Sequence, residues 1–193
     1  EYDDKIPSDL TVEEILIRSG NIGSVRIGQK LEIKRLKIFL EKIGVLNKID
    51  FDIEEVGQPI SFRWGKCKLA TASYGHGITT TPLQLAKGYA IISNGGFDIK
   101  PTLIHSDLKK KKSNKRIIKE DVSEKINPIL RKIVTKKEGT AEFANIKGYD
   151  VGGKTGTAQK TSIGGYSRAK VNTFAAVFPI SKPKYTLVVL MDE

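Results

Sequence analysis

A single cysteine, a single methionine, a single tryptophan and two histidines stand in 193 residues. One thiol excludes an internal disulfide, and it says little about compartment, because many exported proteins lack disulfides. Two histidines and one cysteine are too few for a zinc site, so no metal and no cofactor is expected. No apolar run approaches the ~20 residues that a membrane helix needs, and no secretory leader is visible. Arginine is scarce as well: seven among 33 basic residues, against 22 acidic ones, for a net charge of +11. Arginine is the usual fork for phosphates and base edges, so this lysine excess reads as solvated surface and no nucleic-acid partner is expected. The run Lys109, Lys110, Lys111, Lys112, Lys115, Arg116 and Lys119 reads as a solvated loop, with a weak polyanion contact left open.

What is present suffices for one globular domain with a sizeable core: 39% hydrophobic and 28% charged residues. The chain opens on Glu1 rather than Met and closes on Glu193 soon after an apolar run, so residues 1–193 are expected to be part of a domain cut at both ends. Residues 1–10 are polar and expected to be extended. Thr11-Val12-Glu13-Glu14 fits a capping box, which predicts a helix through about Arg18. Residues 22–31 can form a second helix. Leu36, Phe39, Leu40 and Ile43, with Gly44 as the stop, predict a third over 33–43.

Residues 47–70 read as irregular, and Trp64 within them as a packing anchor. Thr81-Pro82 is a helix start, with Asn94-Gly95-Gly96 as its end. Val122, Ile126, Ile129 and Ile133 predict an amphipathic helix ending before Gly139. Residues 151–158, 171–179 and 184–191 then read as strands, the last two joined as a hairpin through Ser181-Lys182-Pro183. Helices first and antiparallel strands last predict an α+β fold, with helices packed on an antiparallel sheet.

The segment Val151-Gly152-Gly153-Lys154-Thr155-Gly156-Thr157-Ala158 carries the most chemistry. Gly148, Gly153, Lys154 and Thr155 formally match G-x-x-x-x-G-K-[ST], a phosphate-binding loop. That loop works only between a buried strand and a helix whose terminal amides face the phosphates. Here the lead-in Phe143-Ala144-Asn145-Ile146-Lys147 is short, and the sequel has no apolar helical face. The other reading is an edge strand that pairs with an extended peptide. Lys154 then supplies charge for a carboxylate, Thr155 and Thr157 supply hydroxyls, and Gly156 leaves room for the substrate backbone. Taken alone, this is also an ordinary threonine-rich strand. Ser19-Gly20-Asn21 lies 135 residues upstream between two predicted helices. Alone it reads as a helix-stop turn. A hydroxyl and an amide at that spacing can also face one cleft, the hydroxyl passing a proton and the amide holding a peptide.

Ser19-Gly20-Asn21 and Lys154-Thr155-Gly156 are two of the three elements, S-x-N and K-T-G, of the penicillin-recognising serine enzymes, in the same order. Their surroundings extend the match. Glu14 to Gly23, Ala72 to Ala86 (with Tyr74-Gly75-His76-Gly77), Gly139-Thr140-Ala141, Gly153 to Gln159 and Phe174 to Pro179 together resemble class B penicillin-binding protein transpeptidase domains over nearly all 193 residues. The Tyr74-Gly75-His76-Gly77 wording resembles the cell-division branch more than the elongation branch.

The resemblance implies the serine β-lactamase and penicillin-binding transpeptidase fold. It implies acyl transfer on D-Ala-D-Ala stem peptides and cross-linking of peptidoglycan at the septum. By the same resemblance Ser19 relays protons, Asn21 holds the donor peptide and Lys154 shapes the electrostatics beside Ser19. Thr155 and Thr157 bind the terminal carboxylate of a stem peptide or β-lactam, and the Thr157 backbone N–H forms half an oxyanion hole. Implied partners are peptidoglycan stem peptides, β-lactams and divisome membrane proteins. The implied location is the periplasm, on an inner-membrane anchor outside these residues.

One element departs from the family. No S-x-x-K precedes Ser19, and Ser181-Lys182-Pro183-Lys184 matches it only in a predicted hairpin turn after the K-T-G strand. The nucleophile and its lysine are therefore expected upstream of Glu1, and the final strand and helix of the fold beyond Glu193. The fragment alone is expected to be inactive. A D,D-carboxypeptidase, a non-catalytic β-lactam-sensing relative and a nucleotide or nucleic-acid binder are the competing readings. A thiol site from Cys67 and His76, with Lys66 and Lys68 lowering the thiol pKa, lacks any further support. His76 is given no catalytic role, and His105 is expected at the surface.

Overall fold

The computed structural model describes residues 6–105, 115–162 and 165–192. Of the expected solvated run from Lys109 to Lys119, Lys109–Lys112 lie outside them, while Arg116 is bridged to Phe97 and pairs with Glu120 at 2.8 Å. Helix α1 spans Val12–Arg18 and opens on the expected capping box. The Glu14 N–H donates to Thr11 Oγ1 (3.3 Å), and the Thr11 N–H donates back to Glu14 Oε2 (2.8 Å). Donation from the Thr11 hydroxyl (2.7 Å) and then from the Thr11 N–H holds the Glu14 carboxyl below its ordinary range.

Helix α2 runs over Asn21–Lys42 but is broken at Glu32 (φ 63°, ψ 164°), between the two helices that the periodicity predicts. Helix α3, Lys66–Ser73, begins inside the stretch read as irregular. Its turn buries only Leu69 and Ala72 and so has almost no apolar period to betray it. Trp64 pairs with Phe62, centroids 5.1 Å apart, and the Lys68 ammonium sits 4.0 Å from the Phe62 ring centre. Helix α4 (Pro82–Ser93) starts at the Thr81 cap, with Pro82 in its first turn. Helix α5 (Glu120–Thr135) buries Leu130, Ile133 and Val134 while Val122 stays largely exposed.

Three antiparallel strands follow in spatial order β1 (Gly152–Ser162), β2 (Gly165–Phe178) and β3 (Tyr185–Asp192). β1 runs past its expected end and β2 begins before its expected start, pairing Gln159 with Lys170 and, after a register shift between Gln159 and Thr161, Ser162 with Gly165. The extension holds Gln159, Lys160, Arg168 and Lys170 and shows no apolar alternation, so backbone pairing rather than a buried apolar face makes the strands there. α5 packs on β1 and α1, while α4 packs on β2 and β3. The core between them is Ile17, Leu130, Ile133, Val134, Ala141, Val177 and Ile180. β1 is an edge strand among the described residues. The outward face of β3 leaves Leu187, Val189 and Met191 exposed.

Candidate active site

The turn after α1 sets the first site residue. Ser19 closes the helix in the left-handed region (φ 58°, ψ 41°), and the Gly20 N–H returns to the Ile15 carbonyl at 2.8 Å. A non-glycine residue there costs roughly 1–3 kcal/mol. The cost is met by burial on either side: Ile17 and Gly20 are both buried. The helix stop and the chemical site are thus one feature, since the same backbone conformation turns the exposed Ser19 side chain toward β1.

Lys154 answers from the strand. Its ammonium donates to Ser19 Oγ at 2.7 Å and to the Thr155 carbonyl at 3.0 Å. Burial pushes this ammonium down to about 8 from the ordinary lysine value, with no carboxylate among its causes to pull it back. Lys154 is thus charged below about pH 8 and increasingly neutral above it. A ligand carboxylate is expected to be captured with constant strength below that point and more weakly above it. Acylation constants for a carboxylate-bearing β-lactam, measured from about pH 6 to about pH 10, check this. A flat profile past about pH 9 would remove the charge of Lys154 from the process.

Thr155 and Thr157 lie two apart on β1 and share one face. Each already has a hydroxyl or amide behind it. Thr155 Oγ1 lies 2.7 Å from Thr140 Oγ1, and Thr157 Oγ1 lies 3.1 Å from Asn172 Oδ1 on β2. Neither Thr140 nor Asn172 stands out in the sequence as a site residue. Asn172 is visible only once β1 and β2 are in register, and Thr140 only once the turn after α5 meets the strand.

The three glycines of the segment divide by role. A Cβ on Gly152 would lie 2.7 Å from Ile180 Cγ1, and one on Gly153 2.6 Å from the Ala175 carbonyl oxygen, so packing demands both. A Cβ on Gly156 would meet nothing nearer than Thr173 at 3.9 Å. Internal packing does not require that glycine, and it lies exposed on the open edge.

Asn21 sits exposed in the first turn of α2, two residues past Ser19. The structure brings Ser19 and Lys154 together. No hydrogen bond joins Asn21 to β1 among the described residues. The segment ahead of β1 is held by Arg131, which donates to the Val151 carbonyl at 2.8 Å and pairs with Asp150 at 3.5 Å. Asp150 accepts from the Ser181 N–H at 2.9 Å. The bonds from Ser181, with Arg131 nearby, hold the Asp150 carboxyl below its usual range.

The alternative chemistries fare differently. Lys154-Thr155 is followed by strand, not helix, so no helix N-terminus is present to cradle a phosphate there. Ser181 and Lys182 sit in the turn between β2 and β3. Cys67 is an exposed free thiol on α3. No cluster of three or more potential metal ligands occurs among the described residues.

Comparison with known proteins places this geometry. The family model described as "Penicillin binding protein transpeptidase domain" matches residues 1–193. A peptidoglycan D,D-transpeptidase FtsI homolog of Mesostigma viride is 30% identical over 96% of the chain and 36% of its own length. Stage V sporulation protein D of Bacillus subtilis is 31% identical over 95% of the chain and 30% of its own length. The apo transpeptidase domain of Burkholderia pseudomallei penicillin-binding protein 3 superposes with a TM-score of 0.89 at 26% identity, over 95% of this chain and 56% of that one. Mycobacterium tuberculosis penicillin-binding protein 3, complexed with aztreonam, gives 0.84 at 23% identity, over 95% and 45%; this likeness is one of fold. The chain therefore spans about a third of the curated relatives and about half of the solved chains. With an α+β fold of helices on an antiparallel sheet and a full-length family match, the chain belongs to the penicillin-binding protein transpeptidase domain family.

Proposed function

We propose that these residues form the substrate-binding wall of a serine D,D-transpeptidase that cross-links peptidoglycan during division. The observation that carries this reading is the contact between Lys154 and Ser19 beside an open-edged strand bearing Thr155, Gly156 and Thr157. An extended stem peptide adds to the free edge of β1, its backbone passing over Gly156. Lys154 and the two threonine hydroxyls receive its terminal carboxylate, as they would that of a β-lactam. Asn21 holds the donor peptide.

Acyl transfer needs a nucleophile, and no S-x-x-K precedes Ser19 in the sequence. The nucleophile in this reading is a serine on chain preceding Glu1. Its hydroxyl attacks the penultimate D-Ala carbonyl, the C–N bond breaks, and terminal D-Ala leaves with a proton. The bond from Lys154 into the Ser19 oxygen supports Ser19 as the group that passes that proton, since it leaves the Ser19 O–H free to turn toward the departing amine. The Thr157 N–H stabilises the oxyanion. A stem-peptide amine then takes the acyl group; in a carboxypeptidase, water would take it instead.

Membership of the penicillin-binding protein transpeptidase domain family supports β-lactams as ligands. In this reading the domain works in the periplasm beside divisome membrane proteins, with its inner-membrane anchor on another part of the protein; no helix among the described residues is long and apolar enough to cross a membrane.

Fluorescent penicillin tests the reading. The protein expressed from its full reading frame is expected to be labelled covalently, and residues 1–193 alone are not. Labelling of the short chain would put the nucleophile within it and overturn the site assignment. A folded full-length protein that takes no label would point to the non-catalytic relative.

A further inference from the structure

We propose that Thr140 is a positioning residue for the carboxylate subsite: it hydrogen-bonds the Thr155 hydroxyl and frees that group's single proton for the ligand. The inference rests on the transpeptidase reading above and adds to it a residue outside the S-x-N and K-T-G elements.

A hydroxyl has one proton to give and two lone pairs to receive. Thr155 donates its proton to Thr140 Oγ1 at 2.7 Å. A carboxylate can only accept, so its arrival requires the Thr155 proton to turn outward. Thr155 Oγ1 then has its lone pairs facing Thr140, whose own proton can take up the vacated line. The bond reverses its sense without either oxygen moving, and the chain Thr140 to Thr155 to carboxylate has each link polarising the next.

This requires that Thr140 be held where it is. It leaves the end of α5 between Gly139 and Ala141. A Cβ on Gly139 would lie 2.0 Å from the Ile133 carbonyl oxygen, and the Ala141 N–H bonds that same oxygen at 3.3 Å. Ala141 is buried in the central core. Both neighbours are fixed to the helix, and a β-branched side chain between them has few rotamers. Thr140 itself is exposed, so the position owes nothing to burial of its own side chain.

The test compares wild type, Thr140→Val and Thr140→Ser in the full-reading-frame protein. The readouts are binding constants and acylation rates for benzylpenicillin and for its carboxyl methyl ester. Valine keeps the shape and removes the hydroxyl; serine keeps the hydroxyl. The preference of wild type for acid over ester is expected to fall about tenfold in Thr140→Val, through the binding constant more than the acylation rate, and to return in Thr140→Ser. A purely structural role would lower both substrates equally and leave the ratio unchanged, which overturns the proposal. So does a Thr140→Ser variant as impaired in that ratio as Thr140→Val. A wild type that is not acylated at all overturns the transpeptidase reading and this one with it; a normally acylated wild type with an unaltered Thr140→Val ratio overturns this inference alone.

Discussion

Lys154→Met in the full-length protein is expected to lower the acylation constant for penicillin by about a thousandfold. Methionine is unbranched and of similar length, so it fills the half-buried channel without opening a cavity. What disappears is the charge and the donor to Ser19 Oγ at 2.7 Å. Ser19 then loses the partner that orients its hydroxyl, and the carboxylate loses its cation.

Stability should move the other way. Burial holds the Lys154 pKa down at about 8, so the folded state disfavours its charge. The unfolded chain binds that proton more readily, and stability rises with pH between about 8 and the ordinary lysine value. At neutral pH the burial penalty is fully present, and replacing Lys154 relieves it. Melting in parallel with acylation checks both halves. A variant that still acylates within about tenfold of wild type would sink the assignment of Lys154 to the reaction.

The second large effect lies far from the chemistry. Gln84 is fully buried on α4, and its amide bonds several main-chain groups. Nε2 donates to the carbonyls of Asn47 (2.6 Å), Gly44 (3.2 Å) and, at the limit, Val45 (3.5 Å); Oε1 accepts from the Thr81 N–H at 2.9 Å. Gln84→Leu keeps most of the volume and leaves these part-buried main-chain groups without their partner. Each such loss costs about 1–3 kcal/mol. A total near 3 kcal/mol, or about 6–12 °C in melting temperature, is expected. Gln84→Glu should be worse at neutral pH, because a carboxylate would face carbonyl oxygens with nothing to donate. A shift under about 1 kcal/mol for Gln84→Leu would mean that water replaces the amide at the 44–47 loop.

Much of this was legible beforehand, for reasons that differ by element. The Thr11 and Thr81 caps are local, so the starts of α1 and α4 could be read directly. The break at Glu32 falls between the two helices expected over residues 22–31 and 33–43. Helix α3 was missed because two buried residues, Leu69 and Ala72, make no pattern. The ends of β1 and β2 show no apolar alternation in the sequence, because polar residues such as Gln159 and Lys170 pair there through the main chain. The pair Ser19 and Lys154 was expected to meet only through family likeness; neither residue's surroundings in sequence says so. Asn172 depends on a contact between separate strands and has no local sign, whereas Thr140 lies in the Gly139-Thr140-Ala141 stretch that carries the family likeness, with nothing local to show its contact with Thr155.

Helix α5 carries a consequence of its own. Lys132 holds Glu13 of α1 at 2.6 Å, and Arg131 holds the chain ahead of β1. The turn with Thr140 leaves the helix end, where Ala141 bonds back to Ile133. The Ser19 turn, the strand and the Thr140 turn are therefore moored to one helix. In the language of native-state fluctuations they form one cooperative opening unit: thermal motion releases these parts of the site together, and the distances between them persist for as long as that helix remains wound.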